Sequence, residues 1–476
     1  MKIIPWLLLL IWGLGMVYGL GLALPPGLSM AGLKHRQGTV EFYYDLAWSP
    51  AGAEARVYES RIFPALLAEI AGAEDFLILD MFLFNDLGGA PDAPTLAAEL
   101  TAALLAKKAA SPNLPMVVIS DEINTGYGSY PAPHLEQLRA AGIEVVFTDL
   151  TRLRDSNPVY SGLWRPLLQW LEPLTGRLPL ANIFDPAAPP MTLAGYLRLL
   201  NFKANHRKVL VTGRAALISS ANPHDASGRH SNIALLATGP VVADVLASEL
   251  AVAEFSSTGS GLALQQAVAT QDLTPSSEAS SPTIQLLTEV AIREGLLRVI
   301  AVAGAGDTVW LGMFYLTDRH LLRALAAAAR RGAAVRLILD PNRDAFGHEK
   351  YGLPNRPLAA RLKRQAGPNL EIRWYETLGE QFHPKLLLIE GAARAVLFGG
   401  SANFTRRNIG GYNLESGLLF TAAPDAPAIR EAAAFFNRLW HNRDGLYTVD
   451  YQDYADPSPV KEALVVFQEI TGLSTF

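Results

Sequence analysis

The chain has 476 residues, which is too long for one ordinary hydrophobic core and suggests two or three domains. Half of the residues are apolar and the formal net charge is −5, so the chain lacks the strongly basic balance typical of proteins that hold long nucleic acids. Cysteine is absent, which excludes disulfides, thiolate zinc sites and cysteine nucleophiles.

The N-terminus carries an uncharged apolar segment from Ile3 to Leu24. A helix rises about 1.5 Å per residue, so a segment of this length matches the roughly 30 Å apolar layer of a bilayer. We therefore expect residues 1–24 to be a membrane anchor, with the bacterial inner membrane as the expected location. The alternative is a cleaved signal sequence, with Gly21 and Ala23 as the small residues before the cut. Basic residues flank both ends of the segment, which leaves the side of the membrane undecided.

A Ser/Thr-rich stretch over residues 256–283 predicts a linker, and the same order of elements occurs on both sides of it. In each half, an apolar strand with the pattern Met-Phe-x-x-x-Asp precedes a helix and a second strand that ends before an aspartate, Asp121 or Asp340. Alternating strands and helices predict an α/β fold with a largely parallel sheet. We therefore predict two similar α/β half-domains, over residues 37–255 and 284–476.

The first half also contains extra sequence over about residues 153–200, with the apolar stretch SGLWRPLLQWLEPL. This stretch is predicted either to dip into a membrane interface or to pack its apolar side on the domain. The sequence leaves both alternatives open.

A motif that occurs once in each half carries the chemistry: His-x-Lys, an apolar strand, a turn, a second apolar strand and Ser-Ala-Asn. Residues i and i+2 of a strand share a face, so each His and Lys are expected to project together, and the hairpin returns Ser and Asn to the same edge. The two copies supply His206, Lys208, Ser220 and Asn222, and His383, Lys385, Ser401 and Asn403.

Such a set of side chains suits a phosphodiester. Lysine and asparagine can hold the non-bridging oxygens and balance the charge that grows in the transition state. One imidazole can attack phosphorus while the other protonates the leaving oxygen, and a single motif could not do both. No cluster of His, Asp and Glu has the spacing of a dedicated metal site, so we expect neither a metal nor another cofactor.

The two segments resemble the HKD motifs of the phospholipase D superfamily, and the order of elements resembles its bacterial lipid-acting members, such as cardiolipin synthases. The resemblance covers most of the chain, from about residue 55 to 445. It implies a pseudo-dimer of the two halves with one active site at their interface. It also implies catalysis by the motif His and Lys residues, phosphate binding by the motif Ser and Asn residues, and a metal-independent reaction through a phosphohistidine in two displacements.

Each motif departs from the family pattern at its aspartate, which is replaced by Thr212 in the first copy and by Glu390 in the second. In the family this aspartate supports the hairpin more than the chemistry, so activity is still expected. The glycine that the family prefers before the motif serine is Ser219 in the first copy and Gly400 in the second.

Glu415 stands downstream of the second motif, where the family often has a carboxylate that orients the motif histidine. The matching stretch of the first half, HSNIALL, places Ala234 there, so the two histidines are expected to be electrostatically unequal. We expect Glu415 to support His383, which makes His383 the nucleophile and His206 the general acid. In some relatives the order is reversed, and Asp225 is an alternative partner for His206.

Three functions remain open from the sequence. The first is hydrolysis of a phospholipid or transfer of its phosphatidyl unit to an alcohol, with a phospholipid and a membrane as partners and no obligate protein partner. The second is a nucleic-acid phosphodiesterase, since tyrosyl-DNA phosphodiesterases also lack the motif aspartate, although the acidic balance and the N-terminal segment argue against it. The third is an inactive membrane-bound protein that keeps a phosphate pocket. We favour the first.

Overall fold

The computed structural model describes the chain except residues 1–3, 52–54, 90–91, 184, 186–187, 258–281, 346–347, 350 and 475. The predicted linker over residues 256–283 therefore lies almost entirely outside the described residues. The described helices are α1 (Ile4–Gly21), α2 (Ile62–Ala71), α3 (Leu96–Ala110), α4 (Pro133–Ala140), α5 (Pro158–Trp164), α6 (Glu172–Thr175), α7 (Leu193–Leu199), α8 (Val241–Ser256), α9 (Val290–Val302), α10 (Arg319–Arg330), α11 (Asn355–Ala366), α12 (Arg406–Ile409), α13 (Pro427–Trp440) and α14 (Pro459–Thr471).

The strands of the described residues form two large sheets and two small hairpins. They are β1 (Val40–Pro50), β2 (Val57–Glu59), β3 (Leu77–Met81), β4 (Met116–Ser120), β5 (Glu144–Phe147), β6 (Pro179–Leu180), β7 (Met191–Thr192), β8 (Lys208–Thr212), β9 (Ala215–Ser219), β10 (Asn232–Thr238), β11 (Thr283–Thr288), β12 (Thr308–Met313), β13 (Ala334–Leu339), β14 (Asp344–Ala345), β15 (His348–Glu349), β16 (Leu370–Tyr375), β17 (Lys385–Glu390), β18 (Ala395–Gly400), β19 (Ser416–Ala422), β20 (Gly445–Leu446) and β21 (Thr448–Asp450).

The two large sheets repeat one strand order. The first runs β2-β1-β10-β9-β8-β3-β4-β5, and the second runs β11-β19-β18-β17-β12-β13-β16-β21. Leaving out β2 and β21, the strands correspond one to one, and α3 and α10 form corresponding crossovers between parallel strands. The prediction of a duplicated α/β fold is confirmed.

The expectation of a largely parallel sheet is wrong. Only β3-β4-β5 and β12-β13-β16 run parallel within these two sheets, and their other described ladders are antiparallel. The motif strands follow each other through tight turns, such as Gly213-Arg214 between β8 and β9. A turn of this length can join only antiparallel strands, because a parallel pair needs a crossover of a dozen or more residues.

The two halves pack against each other through the motif hairpins. Ile233 and Leu235 of β10 lie over Gly399 of β18, where a Cβ atom would approach Ile233 Cδ1 to 3.0 Å. A side chain at this position would force Ile233 and Leu235 to shift, so glycine permits the close contact. One hydrophobic core contains buried residues of both halves, including Ile218 and Leu397.

Helix α1 lies against α5. The indole N–H of Trp12 donates to the Val159 carbonyl at 2.8 Å, and a Cβ atom on Gly15 would come within 2.5 Å of the Gly162 carbonyl oxygen. Within the part of the chain that the structure describes, no helix combines the length and the apolar character needed to cross a bilayer. The membrane anchor and the signal sequence both stay predictions.

The extra sequence of the first half forms α5, α6, the β6–β7 hairpin and α7, between β5 and β8. Trp164 is buried in it, but Trp170 and Leu174 are each 73% exposed. The apolar side of this insertion therefore packs on the domain only in part.

Candidate active site

Each motif places its lysine at the start of a buried strand and its histidine just before that strand. Lys208 opens β8 and lies opposite Met81, and Lys385 opens β17 and lies opposite Met313. The ladders therefore put both lysines next to the Met-Phe pattern that repeats in the sequence. In each half, the lysine Nζ donates to the carbonyl of its own motif histidine, at 2.7 Å and 2.8 Å.

The backbone of each motif histidine is bound to the other half of the chain. The His206 N–H donates to the Leu414 carbonyl at 2.9 Å, and the His383 N–H donates to the Ser231 carbonyl at 2.8 Å. Both histidines are buried, with exposed fractions of 9% and 8%. The two motifs therefore meet at the interface of the halves. The backbone of each motif histidine is bound by a residue of the opposite half.

Each imidazole is also bound by a residue of the opposite half. His206 Nδ1 lies 2.9 Å from Glu415 Oε1, and His383 Nδ1 lies 3.0 Å from Asn232 Oδ1. The motif serines hold these two partners in place, since Ser401 Oγ donates to Glu415 Oε2 and Ser220 Oγ donates to Asn232 Oδ1 at 2.9 Å. Ser220 and Ser401 thus each bind the side chain that orients the histidine of the opposite half.

The expected pairing of Glu415 with His383 is wrong, because Glu415 reaches across the interface to His206. The expected equivalence of Glu415 with Ala234 is wrong as well. Ser220 N donates to the Ile233 carbonyl, just as Ser401 N donates to the Ser416 carbonyl, so the residue that corresponds to Glu415 is Asn232.

Asp225, the alternative partner expected for His206, has another role. Its Oδ1 accepts the backbone N–H of Ala97 at 3.0 Å, next to the start of α3.

Asn232 is fixed as a hydrogen-bond acceptor for His383. Its Nδ2 donates to the His230 carbonyl at 3.1 Å, which directs Oδ1 towards His383 and Ser220. The Nδ1 of His383 therefore carries a proton, and its Nε2 is left for chemistry.

Burial and positive charge keep both imidazoles neutral. Burial lowers the pKa of His206 to about 4, although the charge of Glu415 opposes this shift. Burial, and after it the charge of Lys385, holds the pKa of His383 well below its usual value. Burial, the largest influence on Glu415, would raise its pKa, but the interaction with His206, the charge of Lys208 and the hydrogen bond from Ser401 together outweigh burial and leave that pKa lowered.

The two lysines are also strongly perturbed. Burial lowers the pKa of Lys208 to about 7, and burial together with the nearby charge of Lys208 holds the pKa of Lys385 well below its ordinary value. Two buried ammonium groups this close repel each other, so an anion between them would stabilise the charged form of both. The charges of the site would therefore favour a bound anion.

Two pairs of residues that sequence reasoning did not assign to the site also belong to it. Phe82 and Phe314 lie against His206 and His383, with ring centroids 4.8 Å and 5.0 Å apart. They are the Phe of the repeated Met-Phe pattern, so the repeat itself was the signal that could have found them.

Asp121 and Asp340 form the second pair. Asp121 Oδ2 accepts the N–H of Asn205 at 2.7 Å, and Asp340 Oδ2 accepts the N–H of Phe382 at 2.8 Å. Asn205 and Phe382 directly precede the motif histidines. Burial raises the pKa of each aspartate to about 7.

The motif asparagines occupy less constrained positions. Asn222 Oδ1 is 3.4 Å from the Leu83 N–H, and the buried Asn403 Oδ1 has no hydrogen-bond partner among the described residues. At the far ends of the motif strands, Thr212 Oγ1 accepts N–H groups of its turn and Glu390 Oε2 accepts the indole N–H of Trp310 at 2.7 Å. Thr212 therefore supports its own hairpin turn, whereas Glu390 joins β17 to the neighbouring strand β12.

Comparison with known proteins agrees with the duplicated fold. Residues 297–440, within the second half, match the family model described as "Cardiolipin synthase, PLD-like domain". No curated protein matches the sequence significantly. The solved structure of phosphatidylserine synthase from Haemophilus influenzae is 12% identical, with a TM-score of 0.56 over 93% of this chain and 95% of that one.

Two further solved structures give weaker likenesses that carry no argument. A polyphosphate kinase from Porphyromonas gingivalis is 14% identical, with a TM-score of 0.40 over 86% of this chain and 53% of that one. NucT from Helicobacter pylori is 18% identical, with a TM-score of 0.29 over 36% of this chain and 99% of that one. The resemblance to the phospholipase D superfamily is confirmed by the family match in the second half and by the shared fold of the synthase.

Proposed function

We propose that the protein is a phosphodiesterase or phosphatidyltransferase of the phospholipase D type, which acts on phospholipids through a phosphohistidine and without a metal. The observation that carries this proposal is the meeting of two His-Lys pairs in a buried interface, where each imidazole is oriented by a residue of the other half. One histidine can then attack and the other can transfer the proton.

In this proposal His206 is the nucleophile, which reverses the order expected from the sequence. Its Nδ1 faces Glu415, so its Nε2 lone pair attacks phosphorus and the bond from phosphorus to the leaving oxygen breaks. The phosphorylated ring carries positive charge, and a carboxylate at Nδ1 stabilises that charge.

His383 is the general acid. Its Nε2–H passes to the leaving oxygen, and in the second displacement Nε2 takes a proton from water or an alcohol as that oxygen attacks phosphorus and the P–N bond breaks. The low pKa of His383 results from burial and then from Lys385 and other nearby positive groups. A bound phosphodiester anion offsets their charge and allows His383 to hold its proton.

Lys208 and Lys385 hold the non-bridging oxygens, together with Asn222 and Asn403. Each asparagine would do so through its amide N–H groups, because an amide oxygen only accepts hydrogen bonds and a phosphate oxygen needs a donor. Fixed cationic donors stabilise the charge that develops on the phosphoryl oxygens without reorganisation.

We further propose that the protein sits on a membrane surface through α1 and the insertion. Leu7, Leu10, Leu14, Trp170 and Leu174 are all exposed, and α1 is held against α5 by the Trp12 bond. A surface of exposed leucine and tryptophan side chains can insert among lipid headgroups and acyl chains. This location would bring the site close to phospholipids.

The test is incubation of the purified protein with vesicles of phosphatidylglycerol and other phospholipids, each in the presence of glycerol, followed by mass analysis of the products. Phosphatidic acid indicates transfer to water, and a new phosphodiester lipid indicates transfer to an alcohol. The matched control is the protein with both His206→Ala and His383→Ala, which should form no product. Activity should survive EDTA.

Other outcomes separate the alternatives. Cleavage of oligonucleotides with no action on lipids would establish the nucleic-acid phosphodiesterase. Binding of a phosphate analogue without turnover of any substrate would establish the inactive phosphate-binding protein. Loss of activity in EDTA that zinc or magnesium restores would contradict the metal-independent chemistry.

A further inference from the structure

A buried carboxylate outside both motifs, Glu289, lies at the junction of the two halves. It directly precedes α9 and has an exposed fraction of 0%. Its backbone has φ 44° and ψ −117°, a region that residues other than glycine rarely adopt. A strained backbone of this kind persists only where the surrounding contacts hold it, and such residues cluster at functional sites.

Glu289 is held by contacts from three separate parts of the chain. Its Oε1 accepts from Arg207 Nη2 at 2.7 Å and from the Glu415 N–H at 3.0 Å. Its Oε2 accepts the N–H of Ser29 at 2.6 Å, and its own N–H donates to the Glu415 carbonyl at 3.2 Å. Glu289 therefore binds both the backbone N–H and the backbone carbonyl of Glu415.

Two of these partners determine the geometry of the His206–Glu415 pair. Arg207 directly follows His206 in the first half, and Glu415 is the acceptor for His206 Nδ1 in the second half. Oε1 of Glu289 thus binds two groups at once: the side chain of Arg207, which follows His206 in the chain, and the backbone N–H of Glu415, which orients the His206 imidazole. We propose that Glu289 is a positioning residue that holds His206 and Glu415 in register across the interface; its effect on turnover rests on the proposed function.

Charge balance for Arg207 does not by itself explain Glu289, because Glu249 already supplies a carboxylate. Glu249 Oε1 lies 3.0 Å from Arg207 Nη1 and is also buried. Among the residues that the structure describes, no hydrogen bond joins Glu249 to Glu415 or Ser29, so Glu249 makes the ion pair without the link to Glu415. This difference makes Glu249→Gln a matched control for Glu289→Gln.

The experiment compares the two variants by turnover kinetics on phospholipid vesicles and by NMR of protein labelled with ¹⁵N-histidine. In wild type, the His206 Nδ1–H should give a strongly deshielded proton signal from its bond to Glu415, which His206→Ala identifies by deletion. In Glu289→Gln this signal should move upfield and broaden, and kcat should fall about 10- to 100-fold with little change in KM, because a small misplacement of reacting groups lowers the rate on this scale.

Glu249→Gln should keep both the signal and kcat, even where it lowers stability as much. Should Glu289→Gln fail to fold, Glu289→Asp replaces it, since it keeps the charge and shortens the reach, and the same changes are expected. An unchanged His206 signal in a folded Glu289 variant overturns the proposal, and so does failure of both Glu289 variants to fold while Glu249→Gln folds. The NMR signal needs no turnover. A wild-type protein that acts on no substrate would therefore refute the proposed function, while the NMR comparison would still test this inference.

Discussion

The carboxylate of Glu415 lies 2.9 Å from Nδ1 of His206, although the two residues belong to different halves of the chain. In the mirror position, Asn232 Oδ1 lies 3.0 Å from Nδ1 of His383. A carboxylate balances positive charge on an imidazole, whereas a neutral amide only accepts a hydrogen bond from it. The two histidines are unequal, but in the opposite sense to the one expected from the sequence.

The roles of the histidines can be separated by a substrate that needs no general acid. On a nitrophenyl phosphodiester, His383→Ala should keep far more activity than on a phospholipid, because protonation of the leaving group is worth roughly 10²–10⁴-fold only where that group demands it. His206→Ala should abolish both reactions. Rates of the two variants on both substrates provide the measurement. If His206→Ala keeps the nitrophenyl reaction and His383→Ala loses it, the assigned roles are reversed.

Asn232→Asp should shift the pH dependence of kcat. The new carboxylate raises the pKa of His383, and a general acid works only while it is protonated, so the fall in rate at alkaline pH should move to higher pH. The complete pH profiles of wild type and variant are compared on one phospholipid. A nucleophile works only when it is deprotonated, so a shift of the acidic limb to higher pH would mean that His383 attacks phosphorus.

Asp121 should make folding less favourable as the pH rises. Burial raises its pKa from 3.8 to about 7 in the folded chain, so the stability that it contributes is complete below about pH 4 and is lost as the pH rises through 7. Asp121→Asn removes this titration. The difference in unfolding free energy should therefore move in favour of the variant by on the order of 2–4 kcal/mol between pH 4 and pH 8.

Urea unfolding at several pH values measures this difference. The variant also loses one acceptor of a backbone N–H, a cost that does not depend on pH. Asp340→Asn should behave alike, because burial raises the pKa of Asp340 to about 7 too. A difference in stability that stays constant over the pH range would mean that Asp121 is ionised in the fold.

The proposed membrane surface should depend on Trp170 and Leu174. Burial of such side chains in an apolar phase is worth about 1.5–3 kcal/mol each, so Trp170→Glu with Leu174→Glu should lower binding to phosphatidylglycerol vesicles by roughly tenfold or more. Vesicle co-sedimentation measures the binding. Val302→Glu changes another highly exposed apolar residue, at the end of α9, and should leave binding unaltered. Equal loss in both proteins would refute this surface.

Several features of the fold followed from the sequence alone. The strands that end just before Asp121 and Asp340 and the helices that precede them were predicted from apolar runs and helical spacing, which are local properties of the chain. The repeated order of elements predicted the duplication, and the two His-x-Lys motifs predicted which side chains the sheets would bring to one edge. Each of these inferences needs only the period of a strand or helix and the recurrence of a pattern.

The partners of the two histidines were decided by the tertiary structure. His206 and Glu415 are 209 residues apart, as counted along the chain, and they meet because the two sheets dock against each other, with Ile233 over Gly399. The sequence alone suggests that Glu415 contacts the motif histidine of its own half. Nothing in the residue spacing shows that it contacts the motif histidine of the other half instead. The link from Glu289 through Arg207 to the same pair has the same origin. Contacts between distant segments depend on how the folded sheets and helices pack against each other. That packing is the sum of many weak contacts that no local sequence pattern encodes.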